Sequence, residues 1–172
     1  QDEVTDTDGW GVYLTMLTVN GTIAIINLPL NQTTAGNQRH PAVAVTNSDS
    51  YVVVWESEGQ IYGRLINSTG AVVGNEFQIS ANDVGVSHLY PAVATKADGS
   101  FIVAWQAINA SGQSFIVARE MTSAGVAVAD AFGVSSDSTL SKANPAIATS
   151  SADEFLLPIT IIAEVLLGVN LE

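Results

Sequence analysis

The chain contains no cysteine and few basic residues. The absence of Cys from its 172 residues excludes disulfide bonds, thiol catalysis and Cys-ligated metals. Only 5 Lys and Arg oppose 17 Asp and Glu, which gives a formal net charge of −12. Nucleic acids and anionic lipid surfaces are both bound through basic patches, so the composition argues against both as partners. The acidic surface instead favours solubility and suits high salt.

The sequence also lacks the short motifs that usually carry catalytic chemistry. No Ser/His/Asp order, H-E-x-x-H, G-x-x-x-x-G-K or paired-carboxylate pattern occurs in it. Asp6 and Asp8 precede Gly9 as in a calcium loop, but Val4 stands where the first ligand would be, which indicates a plain acidic turn. We therefore predict that the chain is not an enzyme and holds no cofactor or metal.

One apolar stretch approaches the length of a membrane-spanning helix. Phe155–Leu171 is 17 residues long with a single charge, near the lower limit for such a helix. However, β-branched residues fill its centre, and Pro158 and Glu164 lie inside it. This composition favours strands, so we predict no membrane insertion.

The chain repeats itself. Pro41–Val45 returns as Pro91–Thr95 and again as Pro145–Thr149, in steps of 50 and 54 residues. The run Tyr51–Trp55 returns in the same way as Phe101–Trp105. A period of this size is typical of stacked or radial repeat architectures.

Each copy of the repeat holds four short apolar runs separated by turn residues. In the first copy these runs are Pro41–Val45, Tyr51–Trp55, Ile61–Ile66 and Glu76–Ile79. Short β-branched and aromatic runs with frequent turn signals predict an antiparallel meander. No stretch carries a helical period with caps at both ends, so the fold class is all-β.

The two ends of the chain align with the interior of a repeat. Gly9–Gly21 matches Glu58–Gly70, and Val165–Glu172 matches Gln60–Asn67. The chain therefore begins and ends inside a third strand. We predict a single all-β repeat domain over residues 1–172, consisting of the tail of one repeat (1–40), two whole repeats (41–90 and 91–144) and the head of a further repeat (145–172).

The pattern P-A-V-A-x-x-x-D-G-x-F-V-V-x-W, followed by I-Y-x-R-L and G-x-x-V-G-x-E-F-x-I-S, resembles the tandem blade-type repeats of large secreted and cell-surface proteins. The resemblance implies four-stranded antiparallel blades and an extracellular or cell-surface location. A propeller has about four to eight blades, so this chain would be an incomplete β-propeller; a β-prism is the alternative. In the last copy Pro158 and Ile159 break the pattern, so its second strand is expected at an edge or in unusual pairing.

The incomplete repeats at both ends predict a role in self-assembly. Unpaired strand edges favour the addition of a partner strand, so we expect copies to associate edge to edge in a filament, surface layer or adhesin stalk. The apolar residues expected in these assembly strands are Val12, Leu14 and Met16 at one end, and Val165, Leu167, Val169 and Leu171 at the other.

The alternative function is a binding module for a carbohydrate or a protein. The segments that precede the three repeat prolines carry Arg39, His40, His88, Tyr90 and Lys142. As inter-repeat loops on one rim, they would converge into a polar pocket.

Two further sets of residues share repeat positions with a structural interpretation. Arg64 and Arg119 are expected to pair with Glu56 or Glu120 on a strand face. Trp55 and Trp105 are expected in the blade core, because a large aromatic side chain is a major contributor to apolar packing.

Four N-x-S/T sequons are present, and all map to turns or loops of the repeat. We predict that they face solvent and carry glycans in a secreted protein. The asparagines are Asn20, Asn31, Asn67 and Asn109.

Overall fold

The computed structural model describes residues 8–46, 49–134, 140–150 and 152–162. Every regular element in these ranges is a β-strand, which confirms the all-β class. The strands in chain order are β1 (Tyr13–Leu17), β2 (Ile23–Pro29), β3 (Gln38–Val45), β4 (Tyr51–Ser57), β5 (Gln60–Ile66), β6 (Val72–Gln78), β7 (Ser87–Thr95), β8 (Phe101–Ile108), β9 (Ser114–Met121), β10 (Phe132–Gly133), β11 (Ser141–Ala143), β12 (Ala148–Thr149), β13 (Phe155–Leu156) and β14 (Thr160–Ile162).

The two whole repeats form two four-stranded antiparallel sheets, which we name the first blade (β3–β6) and the second blade (β7–β10). In each blade the strands follow one another in chain order. Trp55 lies opposite Tyr62 in the first blade, and Trp105 lies opposite Val117 in the second. The prediction of equivalent four-stranded sheets is confirmed.

Tight turns hold the register of the meander. Glu58 and Gly59 connect β4 to β5 with φ angles of 47° and 77°. A two-residue hairpin turn with both φ values positive matches the right-handed twist of its strands, and Gly adopts such angles without strain. Ser57 and Gln60 therefore face each other directly across the hairpin.

The core consists of apolar layers on both faces of each blade. The central strands β4 and β8 are buried almost throughout, and Trp55 and Trp105 are completely buried as predicted. One cluster fills the space between the blades, a second joins the first blade to the β1–β2 hairpin, and a third lies under the last short strands. Burial on both faces explains why these central strands are continuous apolar runs instead of alternating ones.

Hydroxyl groups at one repeat position link the first strands of successive repeats. The Thr95 Oγ1 donates a hydrogen bond to the Val45 carbonyl oxygen at 2.5 Å. The Thr149 Oγ1 donates in the same way to the Thr95 carbonyl oxygen at 2.6 Å. These three residues are one repeat apart, so the bonds hold neighbouring units in a constant offset.

Arg64 connects two units through backbone carbonyls. Its Nη1 donates to the Leu30 carbonyl oxygen of the preceding hairpin at 2.8 Å, and its Nη2 donates to the Gly74 carbonyl oxygen at 3.2 Å. Arg119 in the second blade makes the equivalent bonds to Ile79 and Ala129. Both arginines are structural, as expected.

The partners expected for these arginines were wrong. Glu56 pairs with Arg39, and Glu120 pairs with Lys96. A buried guanidinium that spans two strands satisfies carbonyl oxygens that would otherwise lack donors, and this need decides the pairing.

The last repeat is interrupted where the sequence predicts unusual pairing. β11 pairs with β14 and β12 pairs with β13, and Pro158 lies between the two short ladders. Proline has no N–H to donate, so the ladder is broken there, although its carbonyl oxygen accepts from the Ala146 N–H at 3.2 Å. The predicted third strand, Val165–Glu172, lies outside the described residues.

Over the described ranges, the sheets do not close into a ring, so the propeller and prism interpretations both stay predictions. In the same ranges there is no helix long and apolar enough to cross a membrane.

Candidate functional site

A strained backbone position precedes each repeat proline. His40, Tyr90 and Asn144 have φ angles of 52°, 53° and 50°, in the left-handed region that non-glycine residues rarely adopt. The pairing register shifts at this point in β3 and again in β7, which marks a β-bulge. These segments were expected to be loops. They belong to strands, and the bulge redirects the side chain of the residue before each proline.

The first bulge brings a guanidinium and an imidazole onto a buried carboxylate. The Arg39 Nη2 lies 2.9 Å from Glu56 Oε1, and the His40 Nδ1 lies 2.8 Å from Glu56 Oε2. The Glu56 side chain is only 1% exposed, whereas the side chains of Arg39 and His40 are 41% and 40% exposed. The carboxylate thus forms the floor of the site, and its partners reach solvent.

An aromatic ring from the next repeat completes this group. The Tyr90 and His40 rings have centroids 4.4 Å apart and are tilted by 47°. Tyr90 is 40% exposed. Three of the five rim residues expected from the sequence therefore come together, Arg39 and His40 on Glu56 and Tyr90 on His40. We name these four residues the rim cluster.

Glu56 is the member of the cluster that the sequence analysis did not place in the site. Its position is visible only in the cross-strand register, because Arg39 and Glu56 face each other between β3 and β4. A cross-strand pair of opposite charges is a recognisable signal once the strands have been aligned.

Arg39, His40 and Glu56, which we name the ionic set, occur together in the first repeat alone among the three compared. The second repeat has Leu89 and Gln106 where the first has Arg39 and Glu56, and the third has Ala143 and Thr160. The other two repeats form their strands without these charges, so the repeat fold does not require them.

The structure does not bring His88 and Lys142 to the rim cluster. They occupy the position three residues before their prolines, and both are buried, with 3% and 1% of their surfaces exposed. The Lys142 Nζ donates to the Leu140 carbonyl oxygen at 2.9 Å. The expectation that both residues line the rim is corrected, because the strand alternation before the bulge turns them into the interior.

His88 is held by the second-blade tryptophan. The Trp105 Nε1–H donates to His88 Nδ1 at 2.8 Å, and the two rings meet edge to face. Burial lowers the pKa of His88 below its ordinary value of 6.5, while the charge of Asp83 and the Ala81 backbone act in the opposite direction. The imidazole is therefore neutral at pH 7, and its proton resides on Nε2.

Three of the four sequon asparagines lie in turns with accessible surface. Asn20 is exposed, and Asn67 and Asn109 are partly exposed. Their Oδ1 atoms accept hydrogen bonds from the turn that follows, whereas a glycan would be attached to Nδ2. These turns are compatible with the predicted modification.

Asn31 does not fit the predicted exposure of the sequons. It is only 8% exposed, and its Oδ1 accepts from the Val12 N–H at 2.9 Å. Its Nδ2 donates to Thr33 O and to Gln38 Oε1. The prediction of a solvent-facing side chain is wrong here, because this asparagine satisfies buried polar groups of two strands.

The expected assembly strands are described at one end only. Val12 is 4% exposed and packs with Leu30 and Trp55, and Leu14 lies beside the same cluster. Met16 is half-buried in β1, which pairs with β2 of its own chain. Val165, Leu167, Val169 and Leu171 lie outside the described residues.

No group of three or more His, Asp or Glu residues stands close enough to hold a metal ion in the described ranges. Of the weak calcium candidates, Asp8 is exposed and Asp6 lies outside those ranges.

The fold is similar to that of an endo-arabinase from Bacteroides thetaiotaomicron VPI-5482. The TM-score is 0.53 at 14% sequence identity, and the match covers 89% of this chain. The chain spans 66% of the length of that protein. No family model matches the sequence. No curated protein matches it either.

The conclusion that the chain is not an enzyme was wrong. Its fold is similar to that of an endo-arabinase, so a β-architecture of this kind occurs in an enzyme. The absence of short catalytic motifs does not exclude an enzyme, because functional residues of a repeat fold come together from distant strands. At 14% identity the likeness concerns the fold alone.

Proposed function

We propose that this chain is a carbohydrate-binding blade domain whose binding surface is the rim cluster. The observation that carries the proposal is the contact of two half-exposed rings, His40 and Tyr90, beside a guanidinium and a carboxylate. Both rings are presented by bulges in a strained backbone conformation, and such strain is concentrated at functional sites.

The chemistry of the rim cluster suits a neutral sugar. A sugar ring offers hydroxyl groups that both donate and accept, together with an apolar face of C–H bonds. Arg39 supplies donors, Glu56 holds the Arg39 and His40 side chains in place from below, and the exposed Tyr90 ring supplies an apolar platform. The net charge of −12 disfavours polyanionic ligands, so a neutral oligosaccharide fits better than an acidic one.

The likeness in fold to an endo-arabinase supports this ligand class. The repeat comparison also supports it, since Leu89 and Gln106 show that a blade of this kind does not need the ionic set.

The test replaces the ionic set with the residues of the second repeat. A triple variant, Arg39→Leu, His40→Tyr and Glu56→Gln, keeps side chains that this fold already accommodates at the equivalent positions. Binding of neutral oligosaccharides, arabino-oligosaccharides among them, is measured by calorimetry for the wild type and the variant. We expect the variant to bind at least about tenfold more weakly, the effect of losing roughly one charged hydrogen bond, with an unchanged circular dichroism spectrum.

The matched control removes another ion pair at a distance from the rim cluster. The double variant Lys96→Leu and Glu120→Gln breaks the pair between β9 and the turn after β7. It should bind sugar as the wild type does. The proposal is rejected when the wild type binds no neutral oligosaccharide, prefers an acidic one, or binds as well after the triple substitution.

Self-association at the cell exterior is the second candidate, because the β1–β2 hairpin exposes apolar side chains. Leu17, Ile23 and Ile26 are 61%, 53% and 63% exposed, and Trp10 nearby is 66% exposed. Within the described ranges β1 pairs with β2 alone, so one edge of this hairpin is open. A second copy of the chain would cover both the edge and the apolar face.

Sedimentation velocity tests this second candidate. The acidic copies repel one another at low ionic strength, so association should strengthen as salt rises from about 0.05 to 0.5 M, where charges are screened. A chain that ends at Ala163 lacks the predicted donor strand, and Ile26→Glu alters the exposed face. Both changes should give monomers, and a wild type that stays monomeric at every salt concentration contradicts the idea.

A further inference from the structure

The first blade exposes an apolar side chain that the second blade buries at the same repeat position. Val43 is 60% exposed, whereas Val93, one repeat later, is only 8% exposed. Val93 is covered because it packs in one cluster with Val52 of the preceding blade. The unit before the first blade consists, in the described ranges, of the β1–β2 hairpin alone, and this hairpin covers Trp55 but leaves Val43 in solvent.

The last repeat has the opposite exposed face. Leu156 in β13 is 72% exposed, whereas its equivalents Val52 and Ile102 are 0% and 5% exposed. The register establishes the equivalence, because each of the three lies opposite the second alanine of the first strand in its repeat. Val52 is covered by the second blade, and Ile102 is covered by the last repeat. In the described ranges no strand follows β14, so Leu156 stays in solvent.

The two internal junctions between units follow one rule. The side chain two residues after the repeat proline packs with a second-strand side chain of the preceding unit. Val93 packs in this way with Val52, and Ile147 packs with Ile102. Val43 and Leu156 hold the corresponding positions in the first and the last of these units. They are therefore the two halves of a third junction that a single chain leaves open.

The backbone of the two partial units is complementary in the same way. In each whole blade the second strand pairs with the third. The last repeat supplies a first and a second strand, in the pairs of β11 with β14 and β12 with β13. The hairpin supplies a third and a fourth strand, and in the described ranges β1 pairs with β2 alone. Joined together, the two partial units make one four-stranded blade.

The position of the hairpin supports its assignment as a third and a fourth strand. The Gln38 N–H donates to the Trp10 carbonyl oxygen at 2.6 Å, and the His88 N–H donates to the Gly59 carbonyl oxygen at 2.8 Å. Trp10 therefore stands just before β1 as Gly59 stands just before β5. The open edge of β1 is thus the edge that β5 uses to pair with β4.

We propose that a second copy of this chain completes the partial blade: its last repeat (residues 141–162) packs on Val43 and pairs with β1, and its own hairpin receives the last repeat of the first copy. The proposal rests on the self-association named above as the second candidate function, and it assigns the surface. One copy holds two whole units and two halves, which is less than the roughly four blades that a propeller needs. Two copies joined head to tail at both junctions would close a ring of six blades.

A second copy fits this surface better than an unrelated partner does. The exposed face of β3 matches the first two strands of this repeat, because Val93 already meets such strands inside the chain. Val45 stands where Thr95 and Thr149 donate hydrogen bonds to the preceding unit. The contact between copies therefore consists of apolar packing and strand pairing, without that hydroxyl link.

The test changes each half of the junction separately in the full chain. At about 0.5 M salt, where the acidic copies repel one another least, the wild type should sediment as a dimer. Val43→Lys and Leu156→Glu should each fold normally, because both positions are exposed. Each variant alone should associate at least about a hundredfold more weakly, since both junctions of its dimer would hold an unpaired charge.

An equal mixture of these two variants should recover the dimer. One junction of the mixed pair is then wild type, and the other places a lysine against a glutamate. Val128→Glu is the control, because it adds a charge at a position 56% exposed beside β9 and outside both halves of the junction. It should associate as the wild type does.

The outcomes separate this interface from self-association in general. A wild type that associates, with a dimer that persists in either variant or is not recovered in the mixture, keeps the second candidate function and rejects this interface. A wild type that stays monomeric rejects both, and it would leave the exposed faces of Val43 and Leu156 to further repeats of a longer chain.

Discussion

Thr149 donates a hydrogen bond from its hydroxyl to the carbonyl oxygen of Thr95, 2.6 Å away, and these residues hold the same position in successive repeats. Thr95 repeats the contact with Val45. The offset between neighbouring units is therefore fixed by one side chain per repeat, which acts on the backbone of the unit before it.

Thr149→Val should weaken this link while keeping the β-branched shape. The loss of one hydrogen bond should lower the free energy of unfolding by about 1 kcal/mol, measured by urea denaturation. Thr95→Val should act similarly, because its hydroxyl makes the equivalent bond. Substitution of Thr69, whose hydroxyl bonds within its own exposed turn, is the control and should change stability by less than about 0.5 kcal/mol. Equal effects at all three sites would contradict a linking role.

Arg64→Met should be more damaging than the threonine variants. Methionine retains much of the buried stem, but the carbonyl oxygens of Leu30 and Gly74 lose a charged donor. We expect a loss of about 2 to 3 kcal/mol in the same assay, since hydrogen bonds to charged groups are stronger than neutral ones. Arg64→Lys should recover only part of it, because one ammonium group does not span both carbonyls as a guanidinium does. Full recovery by lysine would show that charge alone matters.

Stability should fall in mild acid because of His88. Its folded pKa lies below the ordinary value of 6.5, so the unfolded chain binds the proton first as the pH drops. The stabilising contribution is complete above about pH 6.5 and is lost progressively toward the folded pKa, with a slope of at most about 1.4 kcal/mol per pH unit. Urea midpoints between pH 8 and 5 measure it.

The control for the pH experiment is His88→Gln, which places the first-blade residue at the same position. Glutamine does not titrate, so the difference in slope between wild type and variant isolates His88. A wild-type slope that persists in the variant would assign the acid sensitivity to other groups.

Glycans should be found on the exposed sequon asparagines and not on the buried one. In a eukaryotic secretion host, Asn20, Asn67 and Asn109 should be modified, whereas Asn31 should not, because its amide is buried and hydrogen-bonded. Intact mass before and after enzymatic deglycosylation, followed by peptide mapping, measures this. A glycan on Asn31 would contradict the burial, and a chain without any glycan would leave the sequons without that role.

The repeat was the part of the fold most readily predicted from sequence. Trp55 and Trp105 were placed in the blade core because they recur at one position within strongly apolar runs, and both are fully buried. The break at Pro158 was also foreseen, since a residue without an N–H interrupts any ladder. These features depend on residues that are close together in the chain, so they can be predicted from the sequence.

The errors concern the direction in which side chains point. His88 and Lys142 were expected on an exposed rim, but the strand alternation carries them inside. Asn31 has the sequon of a surface residue and the environment of a core one. The exclusion of enzymes was wrong for a related reason, because short motifs reveal only neighbours in sequence, whereas a repeat fold brings together residues from separate strands.

The sequence by itself determined the all-β class, the four-stranded unit and its period, because turn residues and apolar runs act within a few positions of one another. Only the tertiary structure decided that Glu56 underlies Arg39 and His40, and that Tyr90 contacts His40 from the next repeat. The physical reason is that pairing, stacking and packing depend on which atoms share a space. The bulges and the offset between units set that arrangement over separations of 16 to 50 residues.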